Sequence, residues 1–205
     1  MAGRPVKRLV VASSNPGKLA EIRALLAPLG IEVVSQGELG IDDAEEPHFT
    51  FLENALAKAR HASRASGLPA LADDSGLCVD ALGGEPGVNS AYFAGMQGSR
   101  EERDARNNAR LLEAIAREAN KAAHYACVMV FVRHAVDPQP LVAEGNWRGM
   151  ITDRPRGNNG FGYDPLFLLP DLGKTAAELE GAQKNRISHR GIAIQRLLAR
   201  LREEG

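Results

Sequence analysis

The stretch RLVVASSNPGKLAEIRALL, residues 8–26, decides the fold class, because a strand pattern changes directly into a helix pattern within it. Residues 8–13 form a short apolar run that is typical of a buried strand. The turn that follows offers Asn15 as a helix N-cap and Pro16 for the first helical position, where proline is favoured. Apolar residues then recur at helical spacing, at Leu19, Ile22, Leu25, Leu26 and Leu29. A second strand at residues 31–35 completes a strand–helix–strand unit.

The rest of the chain continues this alternation of strands and helices. Thr50 and Glu53 match a capping box, and the helix they open should run to about Arg64 and end near Gly67. The other expected elements are a strand ending at 71–73, a strand beginning at 77–82, a helix at 100–119, strands at 125–132 and 141–151, and a last helix from near Ser188. Because two of these strands follow one another directly, the pattern predicts an α/β fold with a mixed sheet rather than an all-parallel one.

The composition is ordinary for a globular protein and excludes several classes. The 205 residues are 44% apolar and 25% charged, which suits one domain, if necessary with two lobes. The net charge of −1 argues against a protein that coats nucleic acid by neutralising its phosphates. Any contact with phosphate must therefore come from a local cluster of Lys and Arg.

The cysteines and the N-terminal residues indicate a cytoplasmic protein. Cys78 and Cys127 are far apart, lack metal-ligand spacing and lie in apolar runs, so we expect buried free thiols rather than a disulfide. Residues 1–8 are basic, and neither a signal-peptide core nor a run of about 18 apolar residues follows them. We expect no membrane partner.

The turn between the first strand and helix is a candidate phosphate site. Backbone N–H groups at a helix N-terminus lack helical partners, and the helix dipole adds positive potential there. The candidate residues are Ser13, Ser14, Asn15, Pro16, Gly17 and Lys18. The turn lacks the glycine spacing of a Walker A loop, which excludes a P-loop NTPase. A capped helix start with a surface lysine explains the same residues, and both interpretations stay open here.

Two acidic motifs are candidates for a metal or catalytic site. Glu45 and Glu46 precede the helix that carries Lys58, and they are either solvated surface or part of a magnesium site. Asp73 and Asp74, followed by Ser75, lie at the expected carboxyl end of a strand, where open α/β sheets build their sites. A turn does not need two successive carboxylates, so this second motif favours a function.

Two further motifs have the composition of a ligand site. The loop GNNGFGYDP, residues 157–165, lets backbone approach a ligand and offers the Phe161 ring for stacking, although a structural turn is the alternative. Ser188 is a natural N-cap, which places His189 and Arg190 in the first turn of a helix, where their charge opposes the dipole. With Lys184 nearby in sequence, this arrangement suggests an anionic or carbonyl-bearing ligand.

Taken together and in order, these motifs resemble the non-canonical purine nucleoside triphosphate pyrophosphatases, the ITPase or RdgB family. The resemblance spans nearly the whole chain. The matching segments are Ser-x-Asn-x-x-Lys at 13–18, Glu-Glu at 45–46, Thr-Phe-x-Glu-Asn-Ala at 50–55, Lys-Ala-Arg at 58–60, Ala-Asp-Asp-Ser-Gly-Leu at 72–77, Ala-Leu-Gly-Gly-x-Pro-Gly at 81–87, Gly-Phe-Gly-Tyr-Asp-Pro at 160–165 and Ser-His-Arg-Gly at 188–191.

This resemblance implies a Mg²⁺-dependent hydrolase, usually a homodimer, with two lobes around a deep active-site cleft. Such an enzyme cleaves ITP, dITP and XTP to the monophosphate and pyrophosphate, which cleanses the nucleotide pool. By analogy, the 13–18 turn and Lys58 hold the triphosphate, Glu46 and Asp74 bind Mg²⁺ with Glu45 as the alternative ligand, and Asp74 is also the catalytic base. Phe161 stacks on the purine, and the other expected substrate contacts are Ser75, Gly162, Tyr163, Asp164, Lys184, His189 and Arg190.

Three other functions fit these motifs less well. Related thymidine or uridine triphosphate pyrophosphatases should lack the Ser-His-Arg-Gly ending. A nucleotide-binding regulator has no use for Asp74 beside a metal. RNA binding would use the arginines of the 100–119 helix, but acidic residues alternate with them, which is typical of a solvated, salt-bridged surface. The variable helix at 100–119 is not expected to decide the chemistry.

Overall fold

The computed structural model describes residues 6–203, except for the side chain of Glu203. The fold is built around a mixed seven-stranded sheet. Its strands are β1 (Arg8–Val11), β2 (Glu32–Ser35), β3 (Ala70–Val79), β4 (Ala122–Val132), β5 (Leu141–Ile151), β6 (Phe167–Leu169) and β7 (Lys174–Thr175). The helices within the same residues are α1 (Pro16–Leu26), α2 (Phe51–Ser66), α3 (Arg100–Ile115), α4 (Gly181–Ile187) and α5 (His189–Glu203).

The strand order is β2-β1-β3-β4-β5-β6-β7. β1 runs parallel to both β2 and β3, whereas β6 runs antiparallel to both β5 and β7. The prediction of a mixed α/β sheet is therefore confirmed. None of the helices among residues 6–203 combines the length and the apolar character needed to cross a membrane.

The chain divides into two compact units. Unit 1 comprises Met1–Asp74, Cys127–Gly145 and His189–Gly205. Unit 2 comprises Ser75–Ala126 and Asn146–Ser188.

The core of unit 1 follows the two-residue period of its strands, because successive side chains point to opposite faces of a sheet. One face carries Leu9, Val11 and Leu71 and packs against Ile22 of α1 and Ile194 of α5. The other face carries Val10, Ala12, Ala70 and Ala72, together with Ala55, Ala59 and Ala62 of α2. Both faces of this part of the sheet are therefore covered by helices.

The core of unit 2 combines aliphatic residues with an aromatic cluster. Leu111 and Ile115 of α3 are buried in it. Tyr125 and Trp147 both contact Phe167, with ring centroids 4.7 and 5.2 Å apart respectively. Because aromatic rings bury large areas, this cluster supplies much of the unit's apolar contact.

The predicted N-caps at Asn15 and Thr50 are confirmed. The Asn15 side chain accepts a hydrogen bond from the Lys18 N–H at the start of α1, and Thr50 accepts one from the Glu53 N–H at the start of α2. α2 ends at Ser66 and is followed by the C-cap Gly67, whose φ of 70° lies in the left-handed region that favours glycine. Cys78 and Cys127 are both free thiols, Cys78 half-buried and Cys127 buried.

The sequence prediction was wrong where it ended a strand at Asp73 and began another at Leu77. β3 continues through both positions without a turn. A Cβ atom on Gly76 would overlap the carbonyl oxygen of Gly87, so this glycine permits a close backbone approach rather than a reversal. The predicted helix at 100–119 is also shorter, and the short elements β6, β7 and α4 were not predicted.

We predict that Gly76→Ala lowers the free energy of unfolding by about 1–3 kcal/mol, because the added methyl group displaces the Gly87 backbone. Urea denaturation measures the loss. Gly37→Ala is the matched control, since a Cβ there meets no atom within 4 Å. Equal stability of the two variants would contradict the close approach.

Candidate active site

Two neighbouring carboxylates on β3 form the centre of the site in unit 1. Asp73 continues the sheet face that begins with Leu71, and Asp74 continues the face that begins with Ala72. Because side chains alternate along a strand, adjacent residues must point to opposite faces. The two carboxylates therefore meet different partners, although both are buried.

Asp74 is held by side chains of α2. Its Oδ1 lies 3.0 Å from the Lys58 ammonium, and its Oδ2 accepts a hydrogen bond of 3.3 Å from the Asn54 amide. Asn54 and Lys58 are four residues apart and so share one face of the helix. Asn54 also bonds to the backbone N–H and C=O of His48, which fixes the segment before α2.

The environment makes Asp74 more basic than a free aspartate. Burial raises the pKa of Asp74 above its ordinary value, although the Lys58 and Lys18 ammonium groups act in the opposite direction. For Lys58, burial disfavours the charged form, but the Asp74 and Glu46 carboxylates outweigh burial and raise the pKa of Lys58. The site therefore pairs an ammonium group with a carboxylate of enhanced proton affinity.

Glu46 and Asp74 converge on one position. The Lys58 Nζ lies 2.5 Å from the Glu46 carboxylate and 3.0 Å from that of Asp74. Two carboxylates facing one cation are hard oxygen donors of the kind that Mg²⁺ takes alongside substrate phosphates and water. Among the side chains that the structure describes, no group of three or more His, Cys, Asp or Glu is arranged to hold a metal. Glu45 is exposed. The carboxylates of Glu46 and Asp74 fit Mg²⁺ by the chemistry of their oxygen donors.

Asp73 belongs to a separate buried ion network. Its Oδ2 lies 3.2 Å from the Lys18 ammonium and accepts hydrogen bonds from Arg190 Nε at 3.2 Å and Nη2 at 3.0 Å. Arg190 Nη1 donates to Glu21 on α1. Burial alone would raise the pKa of Asp73, but Lys18 and Arg190 outweigh it and hold that pKa well below its ordinary value. The network joins β3, α1 and α5.

The structure gives Arg190 and His189 positions that the sequence did not predict. Arg190, expected to contact the purine, has a side chain that is 1% exposed, and three of its nitrogens donate to Asp73 and Glu21. His189 is also buried, and a Cβ on Gly145 would overlap its carbonyl oxygen. Both residues therefore help to seat the start of α5 against the sheet.

The turn at residues 13–18 is stabilised by its own side chains. Ser13 Oγ accepts a hydrogen bond from the Asn15 N–H at 3.2 Å, and Ser14 Oγ donates one of 2.6 Å to Asp43. Pro16 and Gly17 form the first turn of α1. The Lys18 side chain is 15% exposed, so its ammonium group lies at the boundary of the buried network.

The second group of predicted site residues lies in unit 2. Asp164 Oδ2 accepts hydrogen bonds from the Phe161 N–H at 3.0 Å and from the Lys184 ammonium at 2.6 Å. The Lys184 Nζ is 4.8 Å from the centroid of the Phe161 ring. Gly160 has a φ of 76°, and a Cβ there would overlap the Asp164 carboxylate. This set presents an aromatic ring beside an ammonium donor.

Tyr163 and Ser75 lie near these groups in sequence but differ from them in environment. Tyr163 is buried, its hydroxyl donates a 2.8 Å hydrogen bond to the Ser90 carbonyl, and burial raises its pKa. Tyr163 therefore anchors the loop to its own unit. Ser75 is half-buried on β3.

The arginines of α3, considered above for RNA binding, contact aromatic rings and backbone of unit 2. Arg103 lies 5.8 Å from the centroid of Tyr92, and Arg110 lies 4.8 Å from that of Phe93. Arg106 donates to the Gln97 carbonyl, and Arg100 lies over Phe161. These contacts give the α3 arginines partners within unit 2.

Sequence reasoning missed several residues that shape the site. Asn54 was visible only as a neighbour of Lys58 on one helix face, and its contact with Asp74 was not predicted. Asp73 was a candidate because two carboxylates follow one another in the sequence, but its place in the buried ion network was not predicted. Glu21 and Asp43 carried no signal, because each acts on a residue distant in sequence.

Comparison with known proteins places the chain in a family. The model of the Ham1 family matches residues 9–200. The chain belongs to the Ham1 family. The resemblance stated from the sequence is thereby confirmed.

Individual Ham1 relatives match almost the whole chain. It is 64% identical over 197 residues to the dITP/XTP pyrophosphatase of Ralstonia nicotianae, covering 96% of this chain and 98% of that protein. It is 60% identical over 198 residues to the protein of the same name from Nitrosomonas europaea, covering 97% and 96%. The solved structure of a HAM1 protein from Coxiella burnetii matches with a TM-score of 0.87 and 46% identity, covering 96% of this chain and 98% of that one.

We predict that Asp73→Asn lowers the free energy of unfolding by about 3–5 kcal/mol, because it leaves the Arg190 guanidinium buried without its main counter-charge. Urea denaturation is the measurement. Glu32→Gln is the control, since it breaks an exposed ion pair in which the Arg8 and Glu32 side chains are 48% and 62% exposed. The loss of this pair should cost about 1 kcal/mol or less. Similar losses in both variants would show that the Asp73 network is not a stabilising centre.

Proposed function

We propose that the protein hydrolyses purine nucleoside triphosphates such as ITP, dITP and XTP to the monophosphate and pyrophosphate. The observation that carries the proposal is the Asp74 carboxylate, oriented by Asn54 and Lys58 and facing Glu46 across the same ammonium group. The names of the curated relatives support the same activity.

Unit 1 has the charges that a triphosphate requires. The N-terminus of α1 supplies dipole potential at the 13–18 turn. Lys18 and Lys58 add full positive charges, with side chains 15% and 11% exposed. Attack on a polyanion needs such neutralisation before a base becomes effective.

Asp74 is the group suited to accept a proton from water. The water oxygen forms a bond to the α-phosphorus, its proton passes to the Asp74 carboxylate, and the bond from the α-phosphorus to the bridging oxygen breaks. Pyrophosphate leaves with that oxygen. The contacts with Asn54 and Lys58, which orient the Asp74 carboxylate, support this role.

Mg²⁺ is the cofactor that the Glu46 and Asp74 carboxylates would hold, with exposed Glu45 as the alternative ligand. When bound, the ion would neutralise charge on the triphosphate and its leaving group. The hard oxygen ligands support Mg²⁺ over zinc, for which His and Cys ligands are usual.

Unit 2 has the groups that suit a purine base. The Phe161 ring offers a stacking surface, and Lys184 offers a donor within 4.8 Å of its centroid. An ammonium group donates and never accepts, so it matches the 6-oxo group of hypoxanthine or xanthine and not the 6-amino group of adenine.

We propose a homodimer on the resemblance alone, and a cytoplasmic location on the expectation drawn from the sequence. Light scattering of the purified protein tests the first, and fractionation of cells tests the second.

We predict that Asp74→Asn lowers kcat for ITP by about 10²–10⁴-fold while leaving the fold intact, because an amide does not take the proton from water. Pyrophosphate release measures the rate, and circular dichroism checks the fold. Asp153→Asn is the matched control, since the Asp153 side chain is 90% exposed. A folded Asp74→Asn enzyme with more than a tenth of the wild-type rate would refute the assignment.

The same assay tests the cofactor. Chelation with EDTA should abolish activity, and added Mg²⁺ should restore it. In Glu46→Gln, the Mg²⁺ concentration for half-maximal rate should increase, because one of the two carboxylates is lost. Full activity in a chelated sample would remove Mg²⁺ from the proposal.

We predict that kcat/KM for ITP and XTP exceeds that for ATP by up to roughly 10⁴–10⁵, since mismatched donors leave buried polar groups unpaired. Steady-state kinetics with all three nucleotides measures the ratio. Phe161→Leu is the comparison, because loss of stacking should lower kcat/KM for ITP and ATP alike and preserve the ratio. Equal values for ITP and ATP in the wild type would contradict the base assignment.

A further inference from the structure

Three residues on one face of α3 contact the loop that carries Phe161. Arg100, Asp104 and Asn108 are spaced four residues apart, which aligns them along one side of a helix. All three are half-buried. We refer to them as the α3 clamp.

The clamp holds one loop residue at both ends of its backbone. The Gly162 N–H donates a 2.9 Å hydrogen bond to Asp104 Oδ2, and the Gly162 carbonyl accepts one of 2.8 Å from the Asn108 amide. Gly162 has a φ of 63°, in the region that favours glycine. Because this loop residue is outside the strands, side chains rather than a sheet neighbour satisfy its backbone.

The third member of the clamp acts on the ring itself. The Arg100 guanidinium carbon lies 5.0 Å from the Phe161 centroid, within the range of a cation–π interaction. Arg100 Nε is also 4.0 Å from the Asp104 carboxylate. The Gly162 backbone and the Phe161 ring are thus both held by one face of α3. Arg103 and Arg110 of the same helix lie over other rings.

We propose that the α3 clamp is a positioning surface for base recognition, which sets the affinity for the nucleobase by holding Phe161 in its stacking position. This inference rests on the proposed function, in which Phe161 stacks on the purine. The clamp residues act through the 160–162 loop, so they are positioning residues and not catalytic ones. Their loss should weaken binding of ligands that carry a base and leave binding of a bare polyphosphate unchanged.

The experiment compares ITP with inorganic tripolyphosphate, a competitive ligand that has no base. Asp104→Ala and Asn108→Ala should each raise KM for ITP about three- to tenfold, the effect of one lost hydrogen bond, with kcat changed little. The inhibition constant of tripolyphosphate should stay at the wild-type value. Asp104→Asn should restore the KM, because its amide oxygen still accepts from Gly162. Glu113→Ala, on an exposed position of α3, is the matched control.

Several outcomes would overturn the clamp. An unchanged KM for ITP in both alanine variants would show that the loop does not need it. A parallel rise in the tripolyphosphate inhibition constant would indicate a general structural defect. If Asp104→Ala does not fold, Arg100→Ala takes its place with the same expectation, since it removes the contact with the ring and the 4.0 Å ion pair with Asp104 but leaves both hydrogen bonds to Gly162. No ITP hydrolysis by the wild type would instead refute the proposed function, and the clamp with it.

Discussion

The alternation of side chains along β3 is the constraint on which the site depends. One peptide unit separates Asp73 from Asp74, yet the pleat sends them to opposite faces of the sheet. Each face is covered by its own helices, α1 and α5 on one side and α2 on the other. Two identical side chains, both buried, therefore have different partners.

Because they lie on opposite faces of the sheet, the two carboxylates have different roles. Asp73 faces Lys18 and Arg190, which stabilise its charged form and use it to connect elements that are distant in sequence. Asp74 faces one ammonium group, an amide and a further carboxylate, and its pKa is raised. A group whose charge is fully compensated is a poor proton acceptor, so the less compensated of the two is the one suited to chemistry.

Much of the fold could be predicted from sequence, because its signals are local. The Asn15 cap and the apolar period of α1 are encoded within a few residues. The continuity of β3 was missed because Asp73-Asp74-Ser75-Gly76 has turn composition, whereas these residues belong to a strand of the sheet in which Gly76 lies against the Gly87 backbone. The partner of Arg190 on α1 lies 169 residues away and leaves no pattern in the sequence. The α3 contacts with Gly162 span 54 and 58 residues, so the sequence of α3 indicated only a charged surface helix.

The small side chains on the inner face of α2 determine how closely this helix packs against the sheet. Ala55, Ala59 and Ala62 are fully buried against the sheet, which lets the helix axis approach closely. Asn54 and Lys58 lie on the same helix. The close packing of the alanine methyl groups therefore determines how far these two side chains are from Asp74. A bulkier residue at 55 or 59 would lift the helix and withdraw both polar groups together. The spacing of the reactive groups is thus fixed by residues that have no polar atoms in their side chains.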